Sequence, residues 1–142
     1  MSYKLFDEGE QQFLDVYLRN GTVPAGFYLG LANVSGGVVN MAETLTLSTL
    51  TGEATGGGYA RKAVARSTVG WPTLALNSGD FQADAAAQTW TDSGTAMSTV
   101  NVIFLATTSD NTGKLIAAVD LSTSRSLQIG DTLTATFSLK MQ

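Results

Sequence analysis

Serine and threonine hydroxyls are abundant in this 142-residue chain, but it holds no histidine and no cysteine to activate them or to act in their place. A Ser-His-Asp or Cys-His arrangement is therefore impossible, and the commonest zinc ligand is missing. No Ser-x-x-Lys spacing replaces them. Gly113-Lys114 has the look of a phosphate loop, yet Thr108 stands where that motif needs its first glycine and Leu115 where it needs a hydroxyl. Gly56-Gly57-Gly58 precedes a strand pattern rather than a helix, so it is no dinucleotide fingerprint. Among the twelve carboxylates, Asp80 with Asp84 and Asp110 with Asp120 flank turns, without the dense oxygen spacing of a calcium loop. Turn aspartates ordinarily bond the nearby backbone. The expectation is a protein that is no enzyme, with no catalytic residue, no metal and no cofactor.

Other residue types can bind. Arg61, Lys62 and Arg66 fall within six residues, but strand alternation puts Lys62 and Arg66 on one face and Arg61 on the other, where Glu53 is near enough in sequence to pair with it. A net charge of −4 also lacks the basic footprint of a nucleic-acid binder. Trp71, in the corner Gly70-Trp71-Pro72, reads as a packing anchor. No run approaches the ~20 apolar residues of a membrane-spanning helix. Met1-Ser2-Tyr3-Lys4 leads into acidic residues without the apolar core of a signal peptide. Neither nucleic acid nor membrane is expected as a partner.

The elements that position these residues are mostly strands. Val100, Val102, Phe104 and Ala106 alternate with Asn101, Ile103, Leu105 and Thr107. A turn at 109–113 leads to a second run with Leu115, Ala117, Val119 and Leu121 on one face. A third run puts Leu133, Ala135, Phe137 and Leu139 opposite Thr132, Thr134, Thr136, Ser138 and Lys140. A period of two predicts a sheet, and runs apolar on both faces predict central strands. Shorter strands are predicted over Phe27–Ala32, Gly58–Arg66 and Gln88–Thr91, with a hairpin of Leu74, Leu76, Phe81 and Ala83 around 77–80. Turn signals recurring every 8–12 residues favour a β-sandwich of jelly-roll or Ig-like type, spanning 1–142 as one domain.

Residues 7–19 are the one convincing helix, within an N-terminal arm or cap over 1–22. Asp7 and Glu10 suit a capping box, Phe6, Phe13, Leu14, Tyr17 and Leu18 form an apolar stripe, and Asn20-Gly21 supplies a left-handed stop. The aperiodic stretch 33–58 is assigned to the surface, with a helical turn between Met41 and Leu50. Only 14% of residues are charged, and small hydroxyl and aliphatic residues take their place, which suits packing against neighbouring copies.

Several stretches together resemble small virion proteins of tailed bacteriophages. They are Glu8-Gly9-Glu10-Gln11-Gln12-Phe13-Leu14-Asp15, Phe27-Tyr28-Leu29-Gly30-Leu31, Thr55-Gly56-Gly57-Gly58-Tyr59-Ala60-Arg61, Ile103-Phe104-Leu105-Ala106-Thr107-Thr108, Gly113-Lys114-Leu115-Ile116-Ala117 and Gly130-Asp131. The resemblance implies a structural role in the virion, in repeated copies, after assembly in the host cytoplasm. The reading drawn from it is a capsid decoration (cement) protein that binds the major capsid protein, other virion proteins or its own copies, a homo-oligomer with a trimer favoured. The alternative is a head–tail or fibre component acting as a receptor- or carbohydrate-binding module, with Trp71, Trp90 or Tyr59 stacking on sugar. Phe13, Tyr17, Tyr59, Arg61 and Trp71 are the residues expected at an interface, because aromatic and arginine side chains concentrate binding energy there.

Overall fold

Alternation of apolar residues dominates the chain, and in a computed structural model, which describes residues 2–141, it produces a mainly β protein with one α-helix. The strands are β1 (Tyr3–Leu5), β2 (Gly26–Ala32), β3 (Lys62–Ala65), β4 (Thr73–Asn77), β5 (Asp80–Asp84), β6 (Gln88–Thr91), β7 (Val100–Ala106), β8 (Leu115–Arg125), β9 (Thr132–Ala135) and β10 (Ser138–Met141). They form a five-stranded sheet in the order β1-β8-β7-β2-β3, a three-stranded sheet β10-β5-β4 and a two-stranded sheet β6-β9, and every pairing is antiparallel.

The five-stranded sheet is buried on both faces, as its doubly apolar strands predict. One face turns Leu29, Leu31, Ile103 and Leu105 into a core completed by Trp90, Leu133 and Phe137. The other turns Val102, Phe104, Ala106 and Ala118 against Val38, Met41 and Leu47. The stretch 33–58 is thus no mere surface loop. Val38 and Leu47, in its two 3-10 turns Val38–Asn40 and Leu47–Thr49, and Met41 just past the first turn drop as apolar anchors onto a sheet face that would otherwise be wet. Three apolar residues scattered without period leave no sequence signal, which is why the stretch reads as exposed.

The third apolar run is also not one strand. It breaks at Thr136–Phe137, so that β9 pairs with β6 and β10 pairs with β5. Phe137 plugs the core at the break while its carbonyl accepts the Ala85 amide at 2.8 Å.

The helix α1 (Asp7–Arg19) begins and ends where its sequence says, but its start is uncapped. Phe6 is the N-cap, without a side-chain bond, and Asp7 is already helical, so no capping box forms. The acidic first turn still complements the helix dipole. Asn20 takes the left-handed conformation at the other end, φ 57°. The contact with the sheet is made by Gly9, the helix's one fully buried residue, where a Cβ would lie 2.4 Å from the Ile116 carbonyl oxygen. Phe6 beside it is wholly buried, whereas Leu14, Tyr17 and Leu18 of the expected stripe are 58%, 82% and 77% exposed. Glu8, expected on the polar side, reaches inward to accept the Leu47 amide at 3.0 Å and the Leu115 amide at 2.7 Å.

Candidate interaction surface

The five expected interface residues divide into two groups. Phe13, Tyr17 and Trp71 gather around Phe27. Phe13 and Tyr17 line a shallow recess of about 190 Å³ with Phe27, Val23 and Arg66. Trp71 meets the Phe27 ring edge-on, centroids 5.9 Å apart at 87°. Trp71 is half-buried against the main core, so it is the packing anchor its corner predicts. Phe13 is half-buried too, and Tyr17 alone of the three is open.

Tyr59 and Arg61 form the other group, and their chemistry is spent inside the chain. The Arg61 side chain is 3% exposed. Its Nε and Nη2 donate to the two Glu53 carboxylate oxygens at 2.7 Å each, the bidentate geometry in which an Arg–carboxylate pair is strongest. Nη1 donates to the carbonyls of Thr108 and Asp110, Nη2 also to Asn111 Oδ1 at 2.6 Å, and the guanidinium lies 5.2 Å from the Phe104 ring centre. Burial opposes the Arg61 charge, but Glu53 outweighs it and holds the group above its ordinary range. Tyr59 donates to Glu53 at 2.9 Å and accepts the Leu31 amide at 2.9 Å, and burial, more than the nearby Glu53 charge, raises its hydroxyl well above the usual tyrosine value. The group ties the 53–61 segment to β2 and to the turn after β7. The pairing of Glu53 with Arg61 was legible from their spacing, and it leaves neither Tyr59 nor Arg61 free to grip a partner.

Three of the four carboxylates singled out for possible chemistry, Asp84, Asp110 and Asp120, are also occupied locally. Asp110 accepts the Thr112 hydroxyl and amide, at 2.6 and 2.9 Å, and these bonds hold its carboxyl below the usual range. Asp120 accepts the Val38 amide at 2.7 Å and the Ser2 amide at 3.1 Å, and Asp84 accepts Gln82 and Ser138. Among the described residues no group of three acidic, histidine or cysteine side chains is placed to hold a metal, and no helix is long and apolar enough to cross a membrane. A cleft of about 480 Å³ runs between β8, β9 and β10 and is lined by Tyr3, Ile103, Leu133 and Lys140 among others. Of the aromatics suggested for sugar stacking, Trp90 is 1% exposed with its indole N–H donated to the Ala60 carbonyl at 3.0 Å. A ring so enclosed offers no platform.

The surface that strand alternation did not orient is the face of the three-stranded sheet. Leu74 and Leu76 on β4, Phe81 on β5 and Met141 on β10 are 74%, 64%, 58% and 49% exposed, and the registers Leu76↔Phe81 and Phe81↔Met141 put them side by side.

The fold is thus mainly β, with apolar side chains on one sheet face held open to the outside. A family model described as Podophage GP4 fiber I protein gp80 matches residues 5–140, and the chain belongs to this family. It is a phage virion structural protein, located in the virion. No curated protein matches the chain.

Proposed function

We propose that this chain is a non-enzymatic subunit of a phage fibre, present in several copies, which contacts neighbouring virion proteins through its exposed apolar surfaces. The observation that carries the reading is the family match, which runs through nearly every element of the fold and whose description is of a fibre protein. The fibre reading, second to capsid decoration on sequence grounds, therefore moves ahead of it. Architecturally, we read the five-stranded sheet with the smaller sheets against one face as a sandwich in the broad sense. The buried Trp90 and the internally bonded Tyr59 disfavour sugar stacking as its means of action, and partner contact through shape and apolar area takes its place. Gold-labelled antibody against the purified chain, applied to intact virions in the electron microscope, tests the location. Label along the fibres is expected; label spread over the capsid shell would return the decoration reading to first place.

A further inference from the structure

The three-stranded sheet β10-β5-β4 is turned inside out relative to a normal surface sheet. Antiparallel sheets ordinarily pack an apolar face inward and show a polar face to water. Here Gln82, Ser138 and Lys140, on the polar face, line the cleft toward the rest of the chain. The opposite face carries Leu74, Leu76, Phe81, Ala83, Leu139 and Met141. Leu139, at the base, still reaches the chain's own core, whereas Phe81 and Met141 toward the hairpin tip, and both leucines of β4, are open. The tip itself is rigidly specified, because positive φ at both central residues, 56° and 97°, makes the twisted two-residue turn that fits a hairpin. The hairpin thus holds an apolar face outward.

We infer that this face is covered by the same face of a second copy of the chain. The exposed parts of its four most open side chains amount to about 450 Å², taking roughly 150–200 Å² for each such side chain in full. That lies within the roughly 300–600 Å² of the largest apolar patch on a typical soluble monomer, a patch that is often functional. Two such faces stacked about 10 Å apart, as packed sheets are, remove up to about 900 Å² between them, the size of a weak, micromolar contact. The face carries no charged residue, so it selects no partner by charge and requires one equally flat and apolar. Its own copy presents a face of that kind, and a two-fold axis sets the same patch against itself. The other exposed apolar group, Leu14, Tyr17 and Leu18 on α1, is interrupted by Asp15 and Arg19 and suits such a contact less well. The inference deepens the reading of a multi-copy fibre subunit but is tested on the isolated chain, so it can fail while the fibre location stands.

Sedimentation velocity of the full chain from 1 to 100 µM is the experiment, on the native sequence and on Leu76→Lys, Phe81→Lys and Ala75→Lys. Leu76 and Phe81 are open to solvent, so a lysine there leaves the monomer folded, which circular dichroism and melting temperature verify. Ala75 lies on the same strand but points to the opposite face. The expected result is concentration-dependent association of the native chain, weakened at least about 100-fold by either lysine on the apolar face and unchanged by Ala75→Lys. The complex expected is a dimer, because a face packed on its own copy closes about a two-fold axis; a larger closed ring overturns the face-to-face contact. A native chain that stays monomeric at 100 µM overturns the inference. So does association that survives Leu76→Lys and Phe81→Lys, which would place the contact elsewhere. Loss through Ala75→Lys alone would also overturn it, since that marks edge-to-edge pairing of β4 instead.

Discussion

The five-stranded and three-stranded sheets follow the same rule of alternation and end in opposite states. In the first, β7 is apolar on both sides and both sides are covered, one by the smaller sheets and the other by Val38, Met41 and Leu47. In the second, β4 and β5 put their leucines and phenylalanine together on one side and nothing among the described residues covers the outer part of it. A phenylalanine in either sheet has the same intrinsic hydrophobicity. What differs is whether the chain has a segment left to lay over it. The first sheet holds the fold together, and the second keeps an apolar face open.

Substitutions in matched pairs sharpen that contrast. Phe104→Ala should cost the monomer about 3–5 kcal/mol in chemical denaturation, because the wholly buried ring fills the space over Gly30, where a Cβ would come within 2.2 Å of it, and lies under the Arg61 guanidinium. Phe81→Ala, on the open face, should change monomer stability by about 0.5 kcal/mol or less. Equal losses would erase the distinction between the two sheets. Next in size, Glu53→Ala should cost about 3 kcal/mol, since it strands the enclosed Arg61 charge. A loss under 1 kcal/mol would show that the pair is surface-like.

Gly9→Ala tests how closely the helix covers the sheet. The added methyl meets backbone at Ile116, not a side chain that can rotate away, so a loss of about 1–3 kcal/mol is expected in thermal unfolding. An unchanged melting temperature would mean that the helix can ride outward freely.

The smallest effect is one of pH. Burial pushes the Tyr3 hydroxyl up to about 12 from its ordinary 10.0, against the lowering effect of its bond to the Lys140 carbonyl at 2.7 Å. A group whose folded pKa is raised contributes stability that is complete below the unfolded value and lost as pH climbs through the folded one. Stability should therefore decline between pH 10 and 12, with Tyr59 adding to it in the same direction. In Tyr3→Phe, urea titrations across that window should show a shallower decline.

Much of this was legible in the residues. The bounds of α1, the hairpin of β4 and β5, the central strands β7 and β8 and the Glu53–Arg61 pair follow from periodicity, turn chemistry and spacing over short distances. The misreadings share one cause. The apolar stripe of α1 predicted a buried face, but the helix docks through Gly9, and a contact made by a missing side chain has no hydrophobic signature. The run 132–141 keeps its alternation across the break at Phe137, so pattern alone cannot show that its halves belong to different sheets. Tyr59 and Arg61 have the composition of an interface and the surroundings of a core.

By itself the sequence determined that the chain is built of strands, and that no histidine or cysteine is present to do chemistry. It also set which residues share a face, because alternation is a property of the local backbone. Only the tertiary structure decided which of two faces is inward. That choice depends on what else the chain can bring to cover each face, and here it covered both sides of one sheet and left Leu74, Leu76 and Phe81 facing out.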